Sequence, residues 1–171
     1  FISTYAKCGA LDEARKVFEK IPVPSVVPWS ALISGYAQNQ LSHEALNCFR
    51  LMQIAGVSPD AITYVSILKA CGNVGSLEIG EGIYAKVRQK GLLDKDVVLG
   101  TSLVDMYSKC GALDKAREVF EELPERNIVS WSALISGYAR NGLGHEALKC
   151  FGRMKKEGIH PDSVTYACVL K

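Results

Sequence analysis

The sequence predicts an all-α fold, an α-solenoid of stacked helix-turn-helix repeats, and three observations carry that prediction. The chain repeats itself: the stretch from Tyr5 to Lys69 returns from Tyr107 to Lys171, shifted by 102 residues, and about 39 of the 69 positions that overlap from Phe1 are identical. Within that period the spacing A-x3-F recurs at Ala14/Phe18, Ala45/Phe49, Ala116/Phe120 and Ala147/Phe151, with Gly80/Tyr84 as a variant. A second amphipathic run precedes each pair, so the chain alternates two kinds of helix and no strand pattern interrupts it.

The elements follow in order. Small and large residues four apart share one helix face, so each A-x3-F pair marks a packing helix whose small member admits a bulky side chain from the preceding helix. Ahead of the pairs lie runs such as WSALISGYA, with Trp29, Leu32, Ile33 and Tyr36 at helical spacing, and TSLVDMYSK, with Leu103, Met106 and Tyr107. Asn39, Gly72 to Gly75, Gly111 and Asn141-Gly142 are turn signals between the runs. GVSPD (Gly56 to Asp60) and GIHPD (Gly158 to Asp162) close repeats, each pairing a helix-ending glycine with a proline that cannot continue a helix. Counting from these loops gives whole repeats at 26–60, 61–96, 97–127 and 128–162, of 35, 36, 31 and 35 residues, flanked by partial repeats at 1–25 and 163–171. The chain opens and stops inside helices without the polar caps of a finished array, which is expected of a segment of a longer protein.

Composition narrows the function classes. The 171 residues are 48% hydrophobic, ample for a core, and carry a net charge of +2, so a polyanion would be held by local charge placement more than by bulk field. No stretch approaches a membrane span and the N-terminus has no signal-peptide layout, so no membrane association is expected. Six cysteines include the repeat equivalents Cys8/Cys110 and Cys48/Cys150 but no C-x-x-C, which suggests reduced thiols acting as small core residues in a reducing compartment. No catalytic triad, phosphate loop or carboxylate pair is present, so neither an enzyme nor a small-molecule substrate, metal or cofactor is expected.

The helix pair with A-x3-F invites comparison with tetratricopeptide repeats, whose pattern includes W-x2-L-G-x2-Y; Trp29 and Leu32 fit it and the next residues do not. The alternation of 35, 36 and 31 residues, with ISGYAQN, MYSKCGALDKAREVFEELPERN and GVSPDAITYVSILKAC, closely resembles the plant pentatricopeptide-repeat family, and its PLS subclass in particular. The resemblance covers essentially the whole chain. It makes 1–25 a partial S-type repeat, 26–60 P-type, 61–96 L-type, 97–127 S-type, 128–162 P-type and 163–171 a partial L-type repeat, in a right-handed solenoid.

That resemblance implies binding of single-stranded RNA in a plant organelle, mitochondrion or chloroplast, one base per repeat. In the family the fifth and last residues of a repeat read the base and the second flanks it. Carried over, Ser30 with Asp60, Val65 with Asp96, Thr101 with Asn127 and Ser132 with Asp162 select bases, and Val27, Ile62, Val98 and Val129 flank them. An ionised Asp is acceptor-only and suits the donors of guanine's Watson–Crick edge, whereas Asn offers both an acceptor and donors, as adenine's edge does. Val65 has no polar group to assist Asp96, so that position should discriminate weakly, and the expected core is 5'-G-N-A-G-3'. Family usage points to site selection for C-to-U RNA editing. The deaminase strings H-x-E and P-C-x-x-C do not occur, so catalysis would be encoded elsewhere. The rival expectations are a protein-interaction solenoid, with small editing accessory proteins held through L-type repeats, and a role in RNA stabilisation, splicing or an organellar ribosome.

Plainer explanations exist for the same residues. Asp60, Asp162 and Asn127 directly precede helices and would serve as N-caps without RNA, and Ser30 and Ser132 could be polar positions facing water. His43 and His145 lack converging partners and fit exposed first-turn positions. Trp29 and Trp131 begin an apolar face and are expected to pack rather than stack a base. Lys155 and Lys156 fit a solvated helix end better than a phosphate contact.

Overall fold

The computed structural model describes residues 1–170, which form eleven α-helices and no strand. They are α1 (Ile2–Lys7), α2 (Leu11–Glu19), α3 (Val26–Gln38), α4 (Ser42–Ile54), α5 (Ala61–Val74), α6 (Leu77–Gln89), α7 (Val97–Lys109), α8 (Leu113–Glu122), α9 (Ile128–Arg140), α10 (Gly144–Lys156) and α11 (Ser163–Val169). Lys171, the end of the expected partial repeat 163–171, lies outside the described residues. The first helices α3, α5, α7, α9 and α11 each begin directly after Ser25, Asp60, Asp96, Asn127 or Asp162, all residue types that favour the N-cap.

The chain divides into two compact bodies, Phe1–Val74 and Gly75–Lys171, with the division falling between the two helices of the expected L-type repeat. In the first body α3 packs on α1 and α5, α2 rests on α1 and α3, and α4 on α3 and α5. In the second, α9 packs on α7 and α11, α8 rests on α7 and α9, α10 on α9 and α11, and α6 on α7. Within each body the first helices thus line up side by side, and α2, α4, α8 and α10 each seat in the notch between two of them.

The amphipathic faces read from the sequence supply the cores. Trp29, Leu32, Ile33 and Tyr36 of α3 and Trp131, Leu134, Ile135 and Tyr138 of α9 are all buried. So are the small members of the A-x3-F pairs, Ala14, Ala45, Ala116 and Ala147. The aromatic members reach forward to the next repeat: Phe18 meets Trp29 edge-on at 4.5 Å, Phe120 meets Trp131 at 4.6 Å, and Phe151 meets Tyr166 at 5.5 Å between ring centroids. A repeat therefore leaves part of its apolar face for its neighbour to cover, as stacked arrays require. The direction of the small-residue contact differs from expectation at Gly80, where the space is taken by Met106 of the following helix α7 and a Cβ would lie 2.3 Å from Met106 Cε.

Two glycines at matching positions allow the first helices to approach. A Cβ on Gly35 of α3 would stand 2.5 Å from Ala6 Cβ on α1, and one on Gly137 of α9 would stand 2.5 Å from Ser108 Cβ on α7. An asparagine just beyond each of these helices clamps the approach. Asn39 Nδ2 donates to the carbonyls of Ala6 (3.0 Å) and Gly35 (2.8 Å), and Asn141 Nδ2 donates to those of Ser108 (3.2 Å) and Gly137 (2.8 Å). The expected stops also form: Gly56 and Gly158 have φ of 71° and 78°, and Val57 N–H and Ile159 N–H return to Met52 O and Met154 O, both at 3.1 Å.

Two expectations need correction. Gly72 is not a turn residue, because α5 continues through it to Val74; Gly72 is buried, and tertiary packing outweighs the ~1 kcal/mol that a mid-helix glycine costs. Cys8 is not a core residue but the exposed C-cap of α1, and its equivalent Cys110 is the C-cap of α7. Cys48 and Cys150 do sit half-buried, and burial pushes the Cys48 thiol up to about 11, away from thiolate reactivity.

In the second body a charged network crosses the outer helices. Arg153 of α10 pairs with both oxygens of Glu121 on α8, bonds Glu157 at 2.9 Å and lies over the Trp131 ring at 5.4 Å, while Arg126 bonds Glu121 at 3.0 Å. The first body has Leu51 and Ala55 where Arg153 and Glu157 stand. Hydrogen bonding to Arg153, with the charges of Arg153 and Arg126, holds the Glu121 carboxyl below its ordinary value. A depressed carboxylate stabilises the fold above its unfolded pKa and loses that contribution as pH falls through the folded one. Glu121→Gln should therefore be less stable than the native chain at pH 7, and the gap should narrow as the pH falls through the range in which the folded carboxyl protonates. Urea midpoints along an acid series check this, and a gap that stays constant into acid would contradict it.

Candidate nucleic-acid interface

The expected base-selecting and base-flanking residues all fall on the first two turns or the N-caps of the first helices, as the start points of those helices dictate. The flanking positions are all exposed β-branched side chains: Val27 69%, Ile62 63%, Val98 63% and Val129 60% accessible, with Val164 at 57%. Val164 was not singled out in the sequence, although it occupies the second position of its repeat. Exposed apolar side chains recurring at one position are not needed to pack the core.

Ser30 and Asp60 are brought together. Ser30, 5% accessible on α3, places its Oγ 2.9 Å from Val26 O, 3.0 Å from Asp60 Oδ1 and 2.7 Å from Thr63 Oγ1. The same Asp60 oxygen caps α5, accepting from Thr63 N–H at 2.8 Å and from the Thr63 hydroxyl at 2.6 Å. Among the described residues nothing bonds Asp60 Oδ2. An open cleft of about 350 Å³ lies over the pair, lined by Val27 and Ile62 together with Ser30 and Asp60, and by Lys7 and Gln38 further along. The plain readings are half right: Asp60 is an N-cap, but Ser30 is buried and bonded rather than a helix position facing water.

The second body repeats the arrangement with fewer links. Ser132 Oγ lies 2.8 Å from Thr165 Oγ1, and Asp162 Oδ1 accepts from Thr165 N–H at 2.8 Å and from its hydroxyl at 2.7 Å, so Thr165 stands between the expected pair. These hydrogen bonds hold the Asp162 carboxyl below its ordinary value, the Thr165 hydroxyl contributing most. Ser136, Arg140, Val164 and Cys168 line an adjoining cleft. The threonines were missed in the sequence; the recurring D-x-x-T at Asp60/Thr63 and Asp162/Thr165 is the signal that could have found them.

Thr101 and Asn127 are not joined. Asn127 Oδ1 is occupied by the N–H groups of Val129 (2.9 Å) and Ser130 (3.0 Å) in a capping box, which leaves Nδ2 as its outward group. Asn127 therefore presents donors rather than the donor and acceptor expected of its amide. Thr101 Oγ1 is buried with no hydrogen-bond partner among the described residues. Asp96 caps α7 by accepting from Leu99 N–H at 3.0 Å, and Val65 is half-buried on α5 in the other compact body.

Other candidates fall on packing or solvent. Trp29 and Trp131 are buried, His43 and His145 are exposed in the first turns of α4 and α10, and Lys155 lies over the Phe151 ring at 5.7 Å on a second helix. Among the described residues no cluster of three His, Cys, Asp or Glu side chains is placed to hold a metal, and no helix is long and apolar enough to cross a membrane.

The sequence profile of the PPR repeat family matches residues 24–73 and 126–171, and that of the PPR repeat matches 1–23, 62–92 and 101–128. The chain belongs to the pentatricopeptide-repeat family. A putative pentatricopeptide repeat-containing protein of Arabidopsis thaliana is 45% identical over 97% of this chain and 33% of its own length. A second Arabidopsis pentatricopeptide repeat-containing protein, named as mitochondrial, is 41% identical over 99% of this chain and 30% of its own length. The chain thus spans about a third of the length of these two relatives. Among solved structures, the pentatricopeptide repeat protein PPR10 in complex with an 18-nt psaJ RNA element superimposes with a TM-score of 0.80 at 25% identity, covering 99% of this chain and 26% of that one. The pentatricopeptide-repeat domain of Arabidopsis protein-only RNase P 1, in complex with tRNA, shares the fold at 14% identity with a TM-score of 0.72 over 99% of this chain and 93% of that one. The expected solenoid class is therefore correct.

Proposed function

We propose that this chain binds single-stranded RNA in a plant organelle, one base per repeat, through the first two turns of its first helices. The observation that carries the proposal is the cleft in which Ser30 and Asp60 lie between two exposed apolar side chains, Val27 and Ile62. A base inserted there would be sandwiched by the apolar pair and meet hydrogen-bonding groups at its edge, the arrangement by which repeat proteins read unstacked bases. The solved RNA complex of PPR10 supports the ligand class.

The repeat lengths of 35, 36, 31 and 35 support the PLS subclass, and with it site selection for C-to-U editing by activity outside these residues. The groups presented fit the core 5'-G-N-A-G-3': carboxylate oxygens at Asp60 and Asp162 face the N–H donors of guanine, and the Asn127 amide faces the N1 acceptor of adenine. Asp96 lacks a polar helper and leaves the second position open. Stacking on aromatic side chains contributes roughly 1–3 kcal/mol per base and valine should give less, so binding by four repeats is weak.

The test is a titration of this chain with a G-N-A-G oligonucleotide and single-base swaps, at fixed salt. Swapping either G for A should weaken binding roughly tenfold, and Ser132→Asn should move preference at the last position toward U. Equal binding of all sequences, or an unchanged preference in Ser132→Asn, would refute base reading by these residues.

A further inference from the structure

The hydroxyl protons around Asp60 can be assigned by elimination. An ionised carboxylate only accepts, so the Thr63 hydroxyl, 2.6 Å from Asp60 Oδ1, is the donor there. Its single proton spent, Thr63 Oγ1 can only accept from Ser30, 2.7 Å away. Ser30 has three acceptors within reach, namely Thr63 Oγ1, Asp60 Oδ1 at 3.0 Å and Val26 O at 2.9 Å, and each of them turns its proton into the protein. Asp60 Oδ2 and a lone pair of Ser30 Oγ are then left to accept from a ligand. In the other period Thr165 spends its proton on Asp162 Oδ1 in the same way and Ser132 must donate to it.

We propose that Thr63 and Thr165 are positioning residues for base selection, each fixing one carboxylate oxygen inward and Thr165 also taking the serine proton, so that each serine–aspartate pair offers acceptors alone and favours guanine. This deepens the base-recognition proposal and rests on it. Guanine presents two adjacent N–H donors, whereas adenine, cytosine and uracil each set a ring or carbonyl acceptor against one of the outward oxygens. The other two complete repeats lack the device. Ser130, three residues after Asn127, gives its hydroxyl to the Asn127 backbone carbonyl at 2.9 Å, and Leu99, three residues after Asp96, has no hydroxyl. The threonine accompanies the Ser–Asp combination in both places where that combination occurs.

Thr63→Val keeps the buried shape and removes the hydroxyl; Thr63→Ser keeps the hydroxyl. Titrations of both variants with G-N-A-G and A-N-A-G oligonucleotides should show the native preference for G, roughly tenfold, reduced to within about twofold in Thr63→Val and retained in Thr63→Ser, with little change in binding of the A-containing RNA. A folded Thr63→Val, judged by its helical circular dichroism and melting, that keeps the full preference overturns the positioning role and leaves base recognition standing. Equal loss in both variants assigns Thr63 to packing and also overturns it. A native chain without preference refutes base recognition itself, and this inference with it. Should Thr63→Val not fold, Thr165→Val against G-N-A-A decides by the same criteria.

Discussion

Replacing Trp131 by alanine is expected to remove about 3–5 kcal/mol of stability from the second compact body. The indole is fully buried, meets Phe120 edge-on at 4.6 Å and carries Arg153 over its ring at 5.4 Å. Its removal therefore opens a cavity where α8, α9 and α10 meet and also takes away the surface on which the Arg153 network rests. Urea unfolding followed by helical circular dichroism should show the shift in midpoint, and a loss below about 1 kcal/mol would mean that the body closes over the gap. Trp131→Phe should recover most of the loss, because the indole N–H has no hydrogen-bond partner among the described residues and gives up nothing when removed.

The second large effect concerns RNA rather than folding. Asp60→Asn should abolish the preference for G at the first position of the core, a change of about 1–3 kcal/mol in discrimination, while leaving stability within a few tenths of a kcal/mol. Asparagine caps a helix as well as aspartate does, so Oδ1 can go on accepting from Thr63 N–H, now 2.8 Å away. The outward atom changes from an acceptor to an NH2 donor, which faces the N–H groups of guanine with like polarity and suits the N1 acceptor of adenine. Titration with G-N-A-G and A-N-A-G oligonucleotides alongside a thermal melt separates the two effects. A variant that keeps its preference for G would remove Asp60 from the recognition site.

Much of the fold was legible because the same physical requirement is written several times. Trp29 and Trp131, Ala45 and Ala147, Pro59 and Pro161 occupy matching places, so a packing or stop signal seen in one period is checked by the other. Gly72 escaped because a glycine inside a helix and one in a turn look alike until burial is known. Cys8 escaped because a small apolar residue at a helix end has the same letter as one in a core. Four of the second-position residues of the candidate interface were reached through repeat register together with the family resemblance; their exposure came only with the structure. Thr63 and Thr165 were not: periodicity marks them as recurrent, but only coordinates show that one hydroxyl touches both a capping carboxylate and a serine on another helix. Likewise, sequence cannot tell that the Asn127 oxygen is consumed by its own helix.

The oxygen of Asp60 or Asn127 that caps a helix belongs to the same side chain whose other atom faces outward. Folding therefore filters which residues can stand at the end of a repeat, and Asp and Asn pass that filter almost equally. On the proposed reading of RNA, they are also the two whose outward atoms have opposite hydrogen-bonding character. A lineage could exchange one for the other and revise a target site without first acquiring a stabilising mutation elsewhere, so the joint between repeats is also where their specificity can evolve most freely.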